Sequence, residues 1–185
     1  GVFDVEQNRN KSILIRFRTE KTAKAGDYIY KFELKDGCGA TVDTLTVSLT
    51  VWDITLPDGP ACPTAGNLNL ELISNVEKLP LVKAKKYYVQ YYEMLLDYGF
   101  SAHLLPYDIL SDKADAYMSD PRVTGFRIDH NLSDEKLLEI YEKLKTDPVW
   151  LEKAYFYVYD EPTTVEAMQV LKDRVERVNA LCPEV

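Results

Sequence analysis

The chain is poor in cysteine, short of positive charge and without a long apolar run, and each shortage excludes something. Three cysteines, Cys38, Cys62 and Cys182, stand far apart in 185 residues. An odd count with no C-x-x-C spacing supplies neither a disulfide framework nor a zinc site, so each reads as an isolated thiol. Twenty-two Lys and Arg are set against 30 Asp and Glu, for a net charge of −8. Nucleic-acid surfaces need clustered cations, which argues against nucleic acid as a partner. No apolar run approaches the roughly 20 residues of a membrane-crossing helix, and no signal-peptide pattern appears. Asp112, Asp115 and Asp120 lack EF-hand spacing and read as a solvated acidic loop.

What is present is the composition of a globular protein, 46% hydrophobic and 28% charged. Thirteen tyrosines are many for this length. Tyrosine suits sugar-facing surfaces because it offers an apolar face and a hydroxyl, and it serves equally in core and rim packing.

Residues 1–53 read as β structure. Ile13, Ile15 and Phe17 alternate with polar neighbours, then Tyr28, Tyr30, Phe32 and Leu34, then Leu45, Val47, Leu49 and Val51. Asp36-Gly37-Cys38-Gly39 supplies the turn between the last two runs. The pattern predicts an antiparallel hairpin with one buried face, the end of a β-sandwich. Residues 54–66, with Pro57, Pro60, Pro63, Gly59 and Gly66, read as a linker.

From residue 67 strands and helices alternate. Leu68, Leu70 and Leu72 predict a first strand. Tyr88, Tyr91, Tyr92, Leu95 and Leu96 predict a helix that Gly99 ends. Phe100–Tyr107 and Val123–Asp129 predict the second and third strands. Ser133 starts a helix with Leu137, Ile140, Tyr141 and Leu144 on its buried stripe, and Leu132 and Leu137 at the staple positions. Met168, Leu171, Val175 and Val178 give the last helix its apolar face. Four βα units over residues 67–185 imply an α/β fold with parallel strands. A complete (β/α)₈ barrel takes about 250 residues, so these units match the first half of one.

Before that last helix comes Ala154-Tyr-Phe-Tyr-Val-Tyr-Asp-Glu-Pro162, a run without polar alternation, as in a strand covered on both faces. It ends in adjacent carboxylates, Asp160 and Glu161. Pro162 disfavours the helical region for Glu161, so the chain is expected to stay extended through it. Thr163 and Glu166 have capping-box spacing. The carboxylates read in two ways: as an ordinary helix start that complements the dipole, or as site residues at the carboxyl end of a strand, where α/β sheets bind ligands. By the same position Asn75, Tyr107, Asp108, Asp129 and His130 are rim candidates for substrate contact. His103, inside a strand, reads as a satisfied core residue. Arg127 reads as pointing into the barrel or as a structural ion pair.

Ala25-Gly26-Asp27-Tyr28, then Leu45-Thr-Val-Ser-Leu-Thr-Val-Trp-Asp-Ile-Thr-Leu-Pro57, resembles the sandwich-to-barrel junction of glycoside hydrolase family 123 and the wider group of domains related to it. The helix Tyr87–Gly99 followed by Pro106-Tyr107-Asp108 also resembles that group, as does Asp160-Glu161 ending the fourth barrel strand. The resemblance covers most of the chain. It implies a retaining β-N-acetylgalactosaminidase-type hydrolase acting on a glycan or glycolipid, without a cofactor or metal. It also implies a secreted, periplasmic or cell-surface location and a second barrel half beyond this chain. By itself, then, the chain is expected to be poorly active and prone to aggregate. Adjacent carboxylates cannot flank a scissile bond, and they suit a substrate-assisted route. In that route the substrate's 2-acetamido oxygen attacks the anomeric carbon. Asp160 accepts the acetamido N–H, and Glu161 protonates the leaving oxygen and then deprotonates water. A non-catalytic carbohydrate-binding or cell-surface protein on the same scaffold, and a glycosidase of other specificity, are the alternatives.

Overall fold

The computed structural model describes every residue except Asp58, which falls in the 54–66 stretch. The protein is mixed α/β, with six helices and two small sheets among the described residues. It divides into two compact units, Gly1–Leu56 and Pro57–Val185.

In the first unit β1 (Gly26–Lys35) and β2 (Thr41–Val51) form an antiparallel hairpin. The register sets Tyr28, Tyr30 and Phe32 opposite Leu49, Val47 and Leu45 on one face, and Lys31 and Glu33 opposite Thr46 and Thr44 on the other. Asp36 builds the turn: its Oδ1 accepts the N–H groups of Cys38 and Ala40, both at 2.9 Å. Gly39 takes φ +86°, which costs glycine no Cβ clash. Two expectations fail. Ile13, Ile15 and Phe17 belong to no strand. The Phe17 ring instead packs on the hairpin face, 5.1 Å from Tyr30 and 6.0 Å from Phe32. Nor is that face buried, since Leu45 is 54% exposed. Two strands have no second layer with which to cover an apolar face.

In the second unit short parallel segments lie side by side in chain order. Gly66 forms a parallel bridge with Ala102. The Gly66 N–H donates to the Ser101 carbonyl at 3.0 Å, and the His103 N–H to the Gly66 carbonyl at 2.7 Å. The His103 carbonyl accepts the Arg127 N–H at 2.7 Å. Arg127 lies in β3 (Phe126–Ile128), which pairs in parallel with β4 (Ala154–Phe156). The second half of the stretch read as a linker belongs to this array. The Thr64 N–H donates to Thr124 Oγ1 at 2.9 Å, and Thr64 Oγ1 accepts the Ser101 N–H at 2.7 Å.

The predicted strand at Leu68, Leu70 and Leu72 is largely helix. Asn69 Oδ1 accepts the N–H groups of Glu71 at 2.7 Å and Leu72 at 3.3 Å, and so caps α1 (Leu70–Glu77). Three alternating leucines are too few to separate the two periods, and the cap decides. Of the predicted 100–107 strand, only Ser101–His103 carries ladder bonds. The acidic stretch that read as a loop forms α3 (Asp112–Ser119), with Asp112 and Asp115 in its first turn.

The longer helices follow their periodicity. α2 (Leu81–Asp97) buries Ala84, Tyr88, Tyr92 and Leu96 at four-residue spacing. Gly99, at φ +72°, ends it, and the Phe100 N–H returns to the Leu95 carbonyl at 2.9 Å. Burial pushes the Tyr88 hydroxyl up to about 12, where it donates to the Leu104 carbonyl at 3.1 Å. α4 (Asp134–Leu144) has Ser133 as its cap and buries Leu137, Ile140, Tyr141 and Leu144. α5 (Pro148–Lys153), capped by Asp147, is a helix the periodicity does not announce. α6 (Val165–Leu181) buries Val178, but Met168 at the other end of its predicted stripe is 52% exposed. Tyr92, Met118, Phe126, Ile128, Leu137 and Leu144 join in one core.

Candidate functional site

Side-chain alternation along the short strands builds the site. Phe126 and Ile128 are fully buried in the helix-lined core. Arg127, between them in β3, therefore points to the opposite face. Its register partner in β4 is Tyr155, which shares that face. Tyr155 reaches across β3 to the next segment, passing over Gly125. A Cβ built on Gly125 would lie 3.4 Å from the Tyr155 ring. The Tyr155 hydroxyl meets His103 Nδ1. Two residues further on, the Tyr157 ring lies 5.9 Å from the His103 ring at an interplanar angle of 32°. The face is open: Tyr157 is 42% exposed, and His103, Arg127 and Tyr155 are half-buried. Parallel sheets are ordinarily covered on both faces, whereas this face is uncovered and lined by aromatic and polar groups.

Asp160 and Glu161 follow at the carboxyl end of β4. The strand itself ends at Phe156, and the chain does not stay extended through Glu161. Glu161 takes φ +46°, the left-handed region, at a cost of roughly 1–2 kcal/mol for a non-glycine residue. Proline does keep Glu161 out of the right-handed helical region, but the conformation taken is a turn. The capping box is also displaced. Thr164 is the cap of α6, its Oγ1 accepting the Ala167 N–H at 3.1 Å, so neither Thr163 nor Glu166 plays that part. The two carboxylates are consequently not consumed by the helix start. Asp160 Oδ1 accepts the Tyr157 hydroxyl at 2.5 Å. Glu161 is exposed and forms no hydrogen bond or ion pair among the described residues.

The rim candidates fare differently. Asn75 lies on the exposed side of α1 instead of at a strand end. Tyr107 packs on Tyr117, with ring centroids 5.9 Å apart and Lys113 Nζ 5.4 Å from its own ring. Asp108 makes the turn into α3, its Oδ1 accepting the Leu110 N–H at 2.9 Å. Asp129 is on the same face as Arg127 by alternation. Its Oδ1 accepts the backbone and side-chain N–H groups of Asn131, each at 3.0 Å. The Asn131 backbone bond foremost holds its carboxyl below the usual range, and Arg127 adds to that. His130 has an enclosed Nε2 without a partner, and burial lowers its pKa, with Arg174 contributing.

Two arginines of α6 that nothing in the pattern singled out tie down the strand ends. Arg174 Nη1 donates to the Val158 carbonyl at 2.7 Å. Arg177 Nη1 donates to the His130 carbonyl at 2.7 Å, and its Nη2 to the Leu132 carbonyl at 2.8 Å. His103, read as a core residue, instead faces the open side with Tyr155 as its partner. Its signal was the period-2 parity it shares with Ser101, but the register that joins it to Tyr155 is not written in either segment.

Burial first, and Arg127 second, lower the pKa of His103. A histidine with a depressed folded pKa destabilises the fold once it must be protonated. Stability is therefore full above about 6.5 and declines as pH falls through the folded value. The melting temperature is expected to drop between pH 7 and pH 5, with a shallower drop in His103→Gln. An identical slope in that variant would remove His103 from the account and leave the effect to His130. Compared with known proteins, the chain matches no protein-family model and no curated protein sequence.

Proposed function

We propose that the protein is a glycoside hydrolase that cleaves a β-linked 2-acetamido sugar by substrate-assisted catalysis. The observation that carries the reading is the Asp160–Glu161 pair. It stands at the carboxyl end of a parallel strand, beside an open aromatic face, with the helix cap supplied by Thr164 instead. Tyr155 and Tyr157 offer the flat apolar surfaces on which sugar rings stack. In this reading the Tyr157 hydroxyl holds Asp160 in place, and Asp160 accepts the acetamido N–H as the acetamido oxygen closes on the anomeric carbon. Glu161, unencumbered and exposed, gives its proton to the leaving oxygen and takes one from the incoming water. No covalent bond to the protein forms.

The finer architecture belongs to the same proposal. Four parallel segments in chain order, with helices on one side and a polar-aromatic surface on the other, are what the first half of a (β/α)₈ barrel provides. The hairpin, apolar on one face only, fits the end of a β-sandwich. In this reading Asp129, exposed at the end of β3, contacts the sugar at the rim, and the His130 ring lies beside it.

The test is hydrolysis of an aryl β-N-acetylgalactosaminide by the full-length gene product, with the N-acetylglucosamine and plain galactose analogues in parallel. Turnover is expected only of acetamido sugars. Cleavage of the plain galactoside would remove the substrate-assisted route. Binding without turnover of any would favour a carbohydrate-binding protein, for which the aromatic face alone suffices.

A further inference from the structure

We propose that Arg127 receives an anionic group of the ligand, so that the saccharide bound on the open face carries a carboxylate or a sulfate ester. The inference rests on the saccharide reading of this site and names the class of sugar. Arg127 stands between His103 on the neighbouring segment and Tyr155 on β4. Its Nε is shielded from solvent and has no acceptor, and among the described residues its guanidinium makes no hydrogen bond or ion pair. The carboxylates that could answer it are engaged elsewhere. Asp129 is held by Asn131 and Asp160 by Tyr157.

A guanidinium Nε that has surrendered water needs an acceptor, and one left without it is costly. Its planar fork of donors matches two oxygens of one anion, a geometry a single sugar hydroxyl cannot satisfy. The groups around Arg127 do not compete for that role. Burial raises the Tyr155 hydroxyl above its ordinary range and lowers His103, so both are neutral near pH 7. The face thus presents the Arg127 guanidinium between neutral aromatic and imidazole groups, with the Asp129 carboxylate, held by Asn131, at its edge. A carboxylate on the sugar ring and a sulfate on a sugar hydroxyl share the chemistry such a site selects.

The experiment is calorimetric titration of the protein at low salt with four probes. They are a neutral N-acetylgalactosamine-containing tetrasaccharide, the same tetrasaccharide bearing one sulfate ester, its analogue with one hexose oxidised to the uronic acid, and inorganic sulfate. One or both acidic saccharides are expected to bind about ten- to a hundred-fold tighter than the neutral one, the range a charge-assisted hydrogen bond supplies. The sulfated and uronate arms show which anion is preferred. In Arg127→Gln that ratio should fall to about one, and Arg127→Lys should keep part of it. Circular dichroism establishes that each variant is folded, and the wild-type ratio is a test that needs no variant. Equal affinity of wild type for neutral and acidic saccharides overturns the charge inference and leaves the saccharide reading standing. Inorganic sulfate binding as tightly as the sulfated sugar would keep an anion site and overturn the saccharide. Folded protein that binds no probe overturns both.

Discussion

Glu161→Gln is expected to lower turnover of a poorly activated β-N-acetylgalactosaminide by about 10²–10⁴-fold, the contribution of a positioned general acid–base. The side chain is exposed and forms no hydrogen bond among the described residues, so an isosteric amide leaves the fold undisturbed. What it removes is the proton for the leaving oxygen. The leaving group therefore provides an internal control. A dinitrophenyl aglycone departs without protonation, so its release should suffer far less than that of an alkyl or sugar aglycone. Asp160→Asn should behave otherwise, losing rate with both leaving groups because Asp160 orients the acetamido group in each case. The Tyr157 hydroxyl, donating to Asp160 at 2.5 Å, ties that carboxylate to the aromatic face. Equal loss for both aglycones in Glu161→Gln would take the acid–base role away from Glu161. Unchanged turnover would return the pair to a strained turn without chemical use.

Phe126→Ala is expected to cost about 3–5 kcal/mol, the range for emptying a buried aromatic position. Phe126 has no exposed surface and sits in the core with Tyr92, Met118 and Leu137. The rigid ladder between β3 and β4 leaves little room for the surrounding side chains to close the void. Domains of this kind hold only about 5–15 kcal/mol in total, so the loss is a large share of stability. In urea the midpoint should fall by roughly 1–5 M if the slope is about 1–3 kcal/mol/M and does not change. The substitution also bears on the site. Phe126 and Ile128 fix the backbone on which Arg127 is aimed, so softening that strand should weaken binding of the acidic probes even in the folded fraction. A midpoint within about 0.2 M of wild type would mean that the position is not tightly packed, and the reading of the core would have to change.

The parts of this molecule that were legible beforehand are those decided within a few residues. Ser133 and the stripe Leu137, Ile140, Tyr141, Leu144 announce α4, because a cap and a 3.6-residue period are local properties. The tyrosines of α2 and the glycine that ends it are of the same kind. The hairpin follows from two alternating runs and an Asp-Gly turn. Where local signals were short or evenly balanced, the reading failed. Asn69 turned three alternating leucines into a helix. Thr164 displaced Thr163 as the cap of α6, and Glu161 entered the left-handed region where extension was expected.

The site divides along the same line. Its two carboxylates are visible as Asp160-Glu161 at the end of an aromatic run. Its remaining members are not, because His103, Arg127 and Tyr155 are scattered over more than 50 residues. Only the parallel register and the burial of Phe126 and Ile128 bring them to one face. The sequence by itself determined the helices α2, α4 and α6, the hairpin, the mixed α/β character and the position of the carboxylate pair, since each depends on neighbours along the chain. Tertiary structure alone decided which side of each strand is covered and which lies open. That choice is made by the helices packed on the other side, and it leaves Arg127 facing outward without a partner.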